Sequence, residues 1–184
     1  MQSNQLKKNT INLVSKISKK LKKKEIKEIC MLKDRQWKFG LKSQIKWYNK
    51  NLKDYDIHNL LYIGTKLIGY TSLRKRSYKI GYRKKEKKYL LFDTLVIDKK
   101  YRGNKYSNIL MKFNNKIIQQ KGFFSFLICK KELINFYKKN DWKKLNKKSI
   151  NLVDRTFISY GMIYNNIPPL KWIRVVEIKL NYLT

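Results

Sequence analysis

Residues 89–105 read YLLFDTLVIDKKYRGNK, an apolar run that ends in a basic turn. Apolar residues then recur with the three-and-four spacing of an amphipathic helix from Tyr106 to Ile117, and Lys121-Gly122 end that helix with a cation and a glycine. A second apolar run at residues 123–129 predicts a buried strand, and residues 132–140 predict a short helix. This order of elements is typical of a parallel unit with right-handed crossovers, so we expect the chemistry at the carboxyl end of the first strand.

The basic turn has the features of an anion-binding site. A strand that feeds a helix through RGNK (Arg102–Lys105) directs backbone N–H groups, the positive end of the helix dipole and two cationic side chains at one place. Such a place holds a phosphate or pyrophosphate without a metal. The sequence contains neither the Walker motif G-x-x-x-x-G-K-[ST] nor the three-glycine dinucleotide fingerprint.

The segment VIDKKYRG (Val96–Gly103) resembles the strand and pyrophosphate loop of the GCN5-related N-acetyltransferases (GNAT). The loop of that family reads roughly [QR]-x-x-G-x-[GA]. Arg102 and Gly103 match its opening, Lys105 stands at its central glycine, and Ser107 stands at its small residue. A pyrophosphate-binding role of the turn is therefore what the resemblance implies.

A second segment, NFYKKNDW (Asn135–Trp142), is similar to a late motif of the same family. Tyr137 matches the tyrosine of that motif, Asp141-Trp142 stand in place of its Gly-Phe, and Lys130 stands where the family often has an asparagine. The resemblance implies an α/β fold with a single mixed twisted sheet of about seven strands flanked by about four helices. It also implies one domain that spans residues 1–184.

The resemblance implies transfer of an acetyl group from acetyl-CoA to a primary amine. Tyr137 matches the family's acid, which protonates the leaving thiolate, and a tyrosine of the core is the alternative. Asp93 lies where many members carry a carboxylate that takes the amine proton, and a buried carboxylate is costly unless it is used or paired. His58 is a rival base, since a histidine titrates in the useful range. The residues implied to bind acetyl-CoA are Leu95, Val96, Ile97, Arg102, Gly103, Asn104, Lys105, Tyr106 and Ser107.

The acceptor is the least defined part of the reaction. Trp37, Phe39, Trp47 and Tyr48 predict either a flat substrate pocket or ordinary core packing, and His58 is a further candidate substrate residue. The first half is similar to acetyltransferases that modify amino sugars, so a nucleotide-linked amino sugar is one expected acceptor. The alternatives are a polyamine or an antibiotic, a protein or peptide amine, and a basic nucleic-acid-binding protein without catalysis.

Composition limits the remaining classes. The chain has 184 residues, of which 42% are hydrophobic, and 45 basic against 12 acidic residues give a net charge of +33. The basic residues are scattered over every element, so we expect most of them at ordinary surface positions. The charge also predicts weak, salt-sensitive attraction to nucleic acid and favours an anionic small-molecule acceptor. Two cysteines and one histidine are too few for a four-ligand zinc site, so we expect no metal. We also expect no membrane span, a cytoplasmic location and possible dimer formation.

Periodicity predicts the remaining elements in chain order. The predictions are a strand at Ile11–Ile17, a helix at Leu21–Leu32, a loop at Asp34–Gly40, a helix from Ser43, a hairpin of His58–Ile63 and Lys66–Leu73, a basic connector at Arg74–Lys88, and closing strands at Thr156–Tyr164 and Trp172–Leu180.

Overall fold

A computed structural model describes residues 10–80, 83–145, 150–152, 160–165 and 176–178. The α-helices are α1 (Lys23–Trp37), α2 (Leu41–Asn51), α3 (Tyr106–Lys121) and α4 (Ile134–Lys138). Short 3-10 turns lie at Ser18–Lys20, Lys99–Tyr101 and Lys131–Leu133. The strands are β1 (Ile11–Ile17), β2 (Ile57–Ile63), β3 (Lys66–Ile80), β4 (Arg83–Ile97), β5 (Ser125–Cys129), β6 (Lys143–Lys144), β7 (Ile150–Leu152), β8 (Tyr160–Tyr164) and β9 (Val176–Ile178).

The strands form one mixed sheet with the path β1-β2-β3-β4-β5-β8-β6. Strands β1, β2 and β3 pair antiparallel, β4 and β5 pair parallel, and β8 returns antiparallel to β5. The parallel step needs a crossover, and α3 supplies it between β4 and β5. The predicted α/β fold of about seven main strands and four helices is confirmed.

Contacts divide the chain into two compact units that share the long strands β3 and β4. Unit 1 comprises Met1–Arg74 and Asp93–Ile117, and unit 2 comprises Lys75–Phe92 and Ile118–Thr184. The single domain expected for residues 1–184 stays a prediction.

The core of unit 1 lies on both faces of the sheet. On one face, apolar residues of α1 pack against Leu60, Tyr70 and Val96. On the other, Ile68 and Ile97 pack with Leu110 of α3. Gly69 permits this second contact, because a Cβ there would lie 2.8 Å from Ile97 Cδ1.

The core of unit 2 is aromatic. Trp142, which is 1% exposed, packs edge-on against Phe92 and stacks on Tyr164. Tyr89 and Phe126 form an edge-on pair beside them in the same unit. Large rings of this kind bury much apolar area in few residues, which suits a unit with short strands.

Most of the predicted elements are confirmed, including β1 at Ile11–Ile17 and the β2–β3 hairpin. The connector predicted over Arg74–Lys88 is wrong, since β3 continues to Ile80 and β4 begins at Arg83. Charged side chains such as the exposed Lys87 and Lys88 give no apolar alternation that would predict a strand. An exposed strand surface nevertheless accepts charged side chains. The closing strands are described only at Tyr160–Tyr164 and Val176–Ile178, and the rest of both predictions lies outside the described residues.

The helix predicted at Leu21–Leu32 begins at Lys23 and continues to Trp37, so the predicted loop at Asp34–Gly40 starts later than expected. Its end is held by Asp34, whose carbonyl accepts from Lys38 N at 2.7 Å and whose carboxylate accepts from Gly40 N at 2.7 Å.

Across the described part of the chain, no helix is long and apolar enough to cross a membrane. The same residues include no cluster of three acidic, histidine or cysteine side chains that could hold a metal ion.

Candidate functional site

The basic turn follows β4 directly and leads into α3. Asp98 caps the turn, since its carboxylate accepts from Lys100 N at 3.1 Å and its carbonyl accepts from Tyr101 N at 2.9 Å. Asp98 N donates to Ile68 O at 2.8 Å, which attaches the start of the turn to β3. Asn108 N and Ile109 N of α3 donate to Lys105 O at 3.0 and 3.2 Å, so the helix begins directly on the last residue of the turn.

Two residues of the turn have left-handed backbone conformations. Gly103 has a φ of 85° and Lys105 a φ of 59°. A Cβ placed on Gly103 would meet no atom within 4 Å, so the space over this peptide is open. Lys105, which replaces the glycine of the GNAT loop, therefore still takes a backbone conformation that glycine adopts most readily. An open, positively charged turn at a helix start fits a pyrophosphate.

The conformation of Lys105 gives a stability prediction. We expect Lys105→Gly to be more stable than Lys105→Ala by about 1 kcal/mol, because alanine keeps the steric cost of the left-handed conformation and glycine does not. Both variants lose the same positive charge, so each is the matched control of the other. Urea unfolding of the two proteins measures the difference. Equal stabilities would show that the turn relaxes to an ordinary conformation.

The end of α1 is attached to the turn by two side chains. Arg35 Nη1 lies 2.7 Å from Asp98 Oδ2, which is buried. Arg102 donates through Nε to Ile97 O at 3.1 Å and through Nη2 to Gln36 Oε1. These bonds hold the Arg102 side chain against the end of β4 and the end of α1. Sequence reasoning missed Arg35 and Gln36, because they lie more than sixty residues before their partners.

The last residues of β4 are the predicted contacts of the pantetheine arm. Val96 and Ile97 are buried, and Leu95 is half-buried. Their side chains pack into the two core clusters of unit 1, Val96 with α1 and Ile97 with α3. The side chains thus hold the strand in place, and the contact of its backbone with the pantetheine arm stays a prediction.

Asp93 belongs to a group of buried charges in unit 1 that we call the buried charge cluster, formed by Lys33, Trp47, Arg74 and Asp93. Arg74 Nη1 lies 3.6 Å from Asp93 Oδ2, and both side chains are about 5% exposed or less. Lys33 Nζ lies 3.9 Å and the Arg74 guanidinium 5.3 Å from the centre of the Trp47 ring. Burial lowers the pKa of Lys33, and the nearby charge of Asp93 opposes that change. Only Asp93 and the aromatic ring were anticipated from the sequence.

The two candidate substrate residues lie in different environments. Trp37 is 38% exposed at the end of α1, where a ligand can reach it. His58 is fully buried, with Nε2 at 2.8 Å from Ser18 Oγ and Nδ1 at 2.8 Å from Tyr70 OH. Burial lowers the pKa of His58 to about 4, and the charge of Lys33 adds to this. These surroundings favour a structural role for His58, and its role as a base or substrate residue stays a prediction.

Tyr137 lies in unit 2 and is 6% exposed. Its ring contacts Phe92, Phe136 and Trp142 with centroid distances of 6.3, 5.2 and 6.1 Å. Burial raises the pKa of Tyr137, and the neighbouring Cys129 raises it further. The phenol therefore stays protonated at neutral pH, and its raised pKa makes it a weaker acid than an ordinary tyrosine.

Comparison with solved structures identifies the fold. The chain resembles an acyl-CoA N-acyltransferase from Pseudomonas aeruginosa (TM-score 0.62, 12% identity, 84% of this chain and 99% of that chain). It also resembles the GNAT family N-acetyltransferase YhbS from Escherichia coli in complex with CoA (TM-score 0.65, 12% identity, 92% and 91%). A third likeness is to the PaiA N-acetyltransferase from Thermoplasma acidophilum in complex with coenzyme A (TM-score 0.54, 18% identity, 84% and 98%).

No protein-family model and no curated protein matches the sequence. The chain nevertheless has the fold of the GNAT acetyltransferases, and the resemblance suggested by the two sequence motifs is confirmed at the level of the fold.

Proposed function

We propose that this protein is an N-acetyltransferase that transfers an acetyl group from acetyl-CoA directly to a primary amine of a small molecule. The observation that carries the proposal is the turn between β4 and α3. It places an open left-handed Gly103, two cations and a helix start together. Two of the solved structures with the same fold are complexes with CoA, which supports the same ligand here.

In this proposal the turn residues 102–107 hold the pyrophosphate, and the backbone of Leu95–Ile97 holds the pantetheine arm. Acetyl-CoA supplies the acetyl thioester. During transfer the C–N bond of the amide forms and the C–S bond breaks. Asp93 takes the proton of the attacking amine, directly or through water, and Tyr137 gives a proton to the departing thiolate. Direct transfer of this kind needs no nucleophilic side chain.

The proposed acceptor is a primary amine of a small molecule. A nucleotide-linked amino sugar remains one specific prediction, and Trp37 is exposed enough to stack on such a ligand. A cytoplasmic location, the lack of a metal requirement and dimer formation also remain predictions.

Removing Arg102 tests the assignment of the turn. We expect Arg102→Ala to weaken acetyl-CoA binding by at least about 1 kcal/mol, or about fivefold, because charge-assisted contacts with phosphate are lost. The matched control is Lys112→Ala, which removes one exposed positive charge from α3 outside the turn. Calorimetric titration at constant salt measures both affinities. An unchanged affinity in Arg102→Ala would show that the turn does not bind the coenzyme.

A further inference from the structure

The buried charge cluster contains more positive than negative charge. Lys33 and Arg74 are 9% and 3% exposed, and Asp93 is the only acidic group within ion-pair distance of either among the described residues. Lys33 Nζ contacts the Trp47 ring instead of a carboxylate. Two cations and one anion leave one buried positive charge without a counter-ion. Buried charges are costly unless they are paired, so this arrangement is unfavourable in the absence of a ligand.

The hydrogen bonds of the cluster are also incomplete. Arg74 Nη2 donates to Asn51 O at 3.2 Å, but Arg74 Nε and Asp93 Oδ2 have no hydrogen-bond partner in the part of the chain that the structure describes. Gln44, which is not a member of the cluster, lies three residues before Trp47 in α2. Its Nε2 is also buried and has no hydrogen-bond partner among the described residues. Buried polar atoms rarely lack a partner unless a ligand or water supplies it.

The unmatched groups of the cluster are one donor, Arg74 Nε, and one acceptor, Asp93 Oδ2, and the excess charge is positive. A carboxylate or phosphate would accept from Arg74 Nε and balance the charge of Lys33. A neutral ligand would leave the charge unbalanced, and a second cation would add repulsion. Trp47, whose ring lies beside both cations, is half-buried.

We propose that the acceptor amine carries an anionic group, a carboxylate or a phosphate, which binds to Arg74 and Lys33 beside the Trp47 ring. This inference rests on the proposed acetyltransferase function and defines the class of its acceptor. Asp93 lies in the same cluster and is paired with Arg74. The excess of buried positive charge thus selects anionic amines over neutral ones.

Matched amines and one substitution test the inference. The first pair is 5-aminopentanoate and 1-aminopentane, and the second is O-phosphoethanolamine and ethanolamine, so that each source of the anion has its own neutral control. We expect kcat/KM for at least one anionic amine to exceed that of its neutral partner by about tenfold or more. Lys33→Met should bring this ratio to within about threefold, because it removes the unbalanced charge and keeps the Arg74–Asp93 pair. Lys46→Met, which removes an exposed charge from α2 next to Trp47, should keep the wild-type ratio.

The outcomes separate the inference from the proposed function. If the neutral amines are equal or better acceptors in both pairs, or if Lys33→Met keeps the wild-type ratio, the inference is wrong and the acetyltransferase stands. If no amine is acetylated, the proposed function fails, and binding of the anionic amines is measured by thermal shift. Stabilisation of the wild type but not of Lys33→Met would still support the anion site, and no stabilisation of the wild type would overturn it.

Discussion

Tyr137→Phe is expected to lower the turnover number by about ten- to a thousand-fold, with little change in folding or acetyl-CoA affinity. The substitution removes one hydroxyl, and the ring keeps its contacts with Phe92 and Trp142. Burial raises the pKa of Tyr137, so the phenol is protonated at neutral pH, and in the proposed mechanism it gives that proton to the departing thiolate. Phenylalanine has no proton to give, and the thiolate must then leave unprotonated or take a proton from water.

Tyr164→Phe is the matched control for this measurement. Tyr164 is also a tyrosine of unit 2, stacked on Trp142, and its hydroxyl accepts from Gln119 Nε2 at 2.8 Å. Its loss should leave the turnover number within about threefold of the wild type. If Tyr137→Phe instead keeps its turnover and loses stability, Tyr137 is a core residue and the acid is another group.

The second large effect concerns stability below neutral pH. The pKa of His58 is about 4 in the folded protein, lowered by burial and by Lys33 from an ordinary value of 6.5. The unfolded chain therefore takes up a proton that the folded protein excludes. The contribution of neutral, buried His58 to the free energy of unfolding is complete above about pH 6.5. This contribution is lost as the pH falls towards about 4. At 1.36 kcal/mol per pH unit, the loss amounts to about 3 kcal/mol.

His58→Gln tests this dependence, because glutamine is polar and does not titrate. His58 is the one histidine of the chain, so no other imidazole contributes between those pH values. Both proteins should lose free energy of unfolding between about pH 7 and about pH 4. The wild type should lose about 3 kcal/mol more than His58→Gln. Carboxylates titrate in both proteins and cancel in this difference. Parallel pH profiles would show that His58 is accessible to protons in the folded state.

The sequence predicted the fold well where local patterns are strong. The apolar run of β4, the basic turn and the amphipathic face of α3 lie close together in the chain, and each has its own periodicity. Gly122, with a φ of 68°, ends α3 as the sequence indicates. The long β3 and β4 were missed over Arg74–Lys88, because their charged residues have no apolar alternation to mark a strand.

The candidate site was predictable only in part. Asp93 stands out as a carboxylate in an apolar strand, but nothing in a lysine-rich sequence distinguishes Lys33, which is buried, from Lys46, which is exposed. Burial of a cation depends on the packing of α1 against α2, and this is a tertiary property. The same limit applies to Arg35, whose partner Asp98 lies far along the chain.

The proposed acetyltransferase function is tested most directly by a transfer assay. The purified protein is mixed with acetyl-CoA and each of the four amines named above. Free thiol and acetylated amine are measured together, the second by mass spectrometry, over a range of salt concentrations. An acetyltransferase should form both products in equimolar amounts at a rate proportional to protein concentration, and any nucleic-acid binding should be lost as salt rises. Acetyl-CoA that neither binds nor reacts, together with tight sequence-dependent nucleic-acid binding at physiological salt, would contradict it.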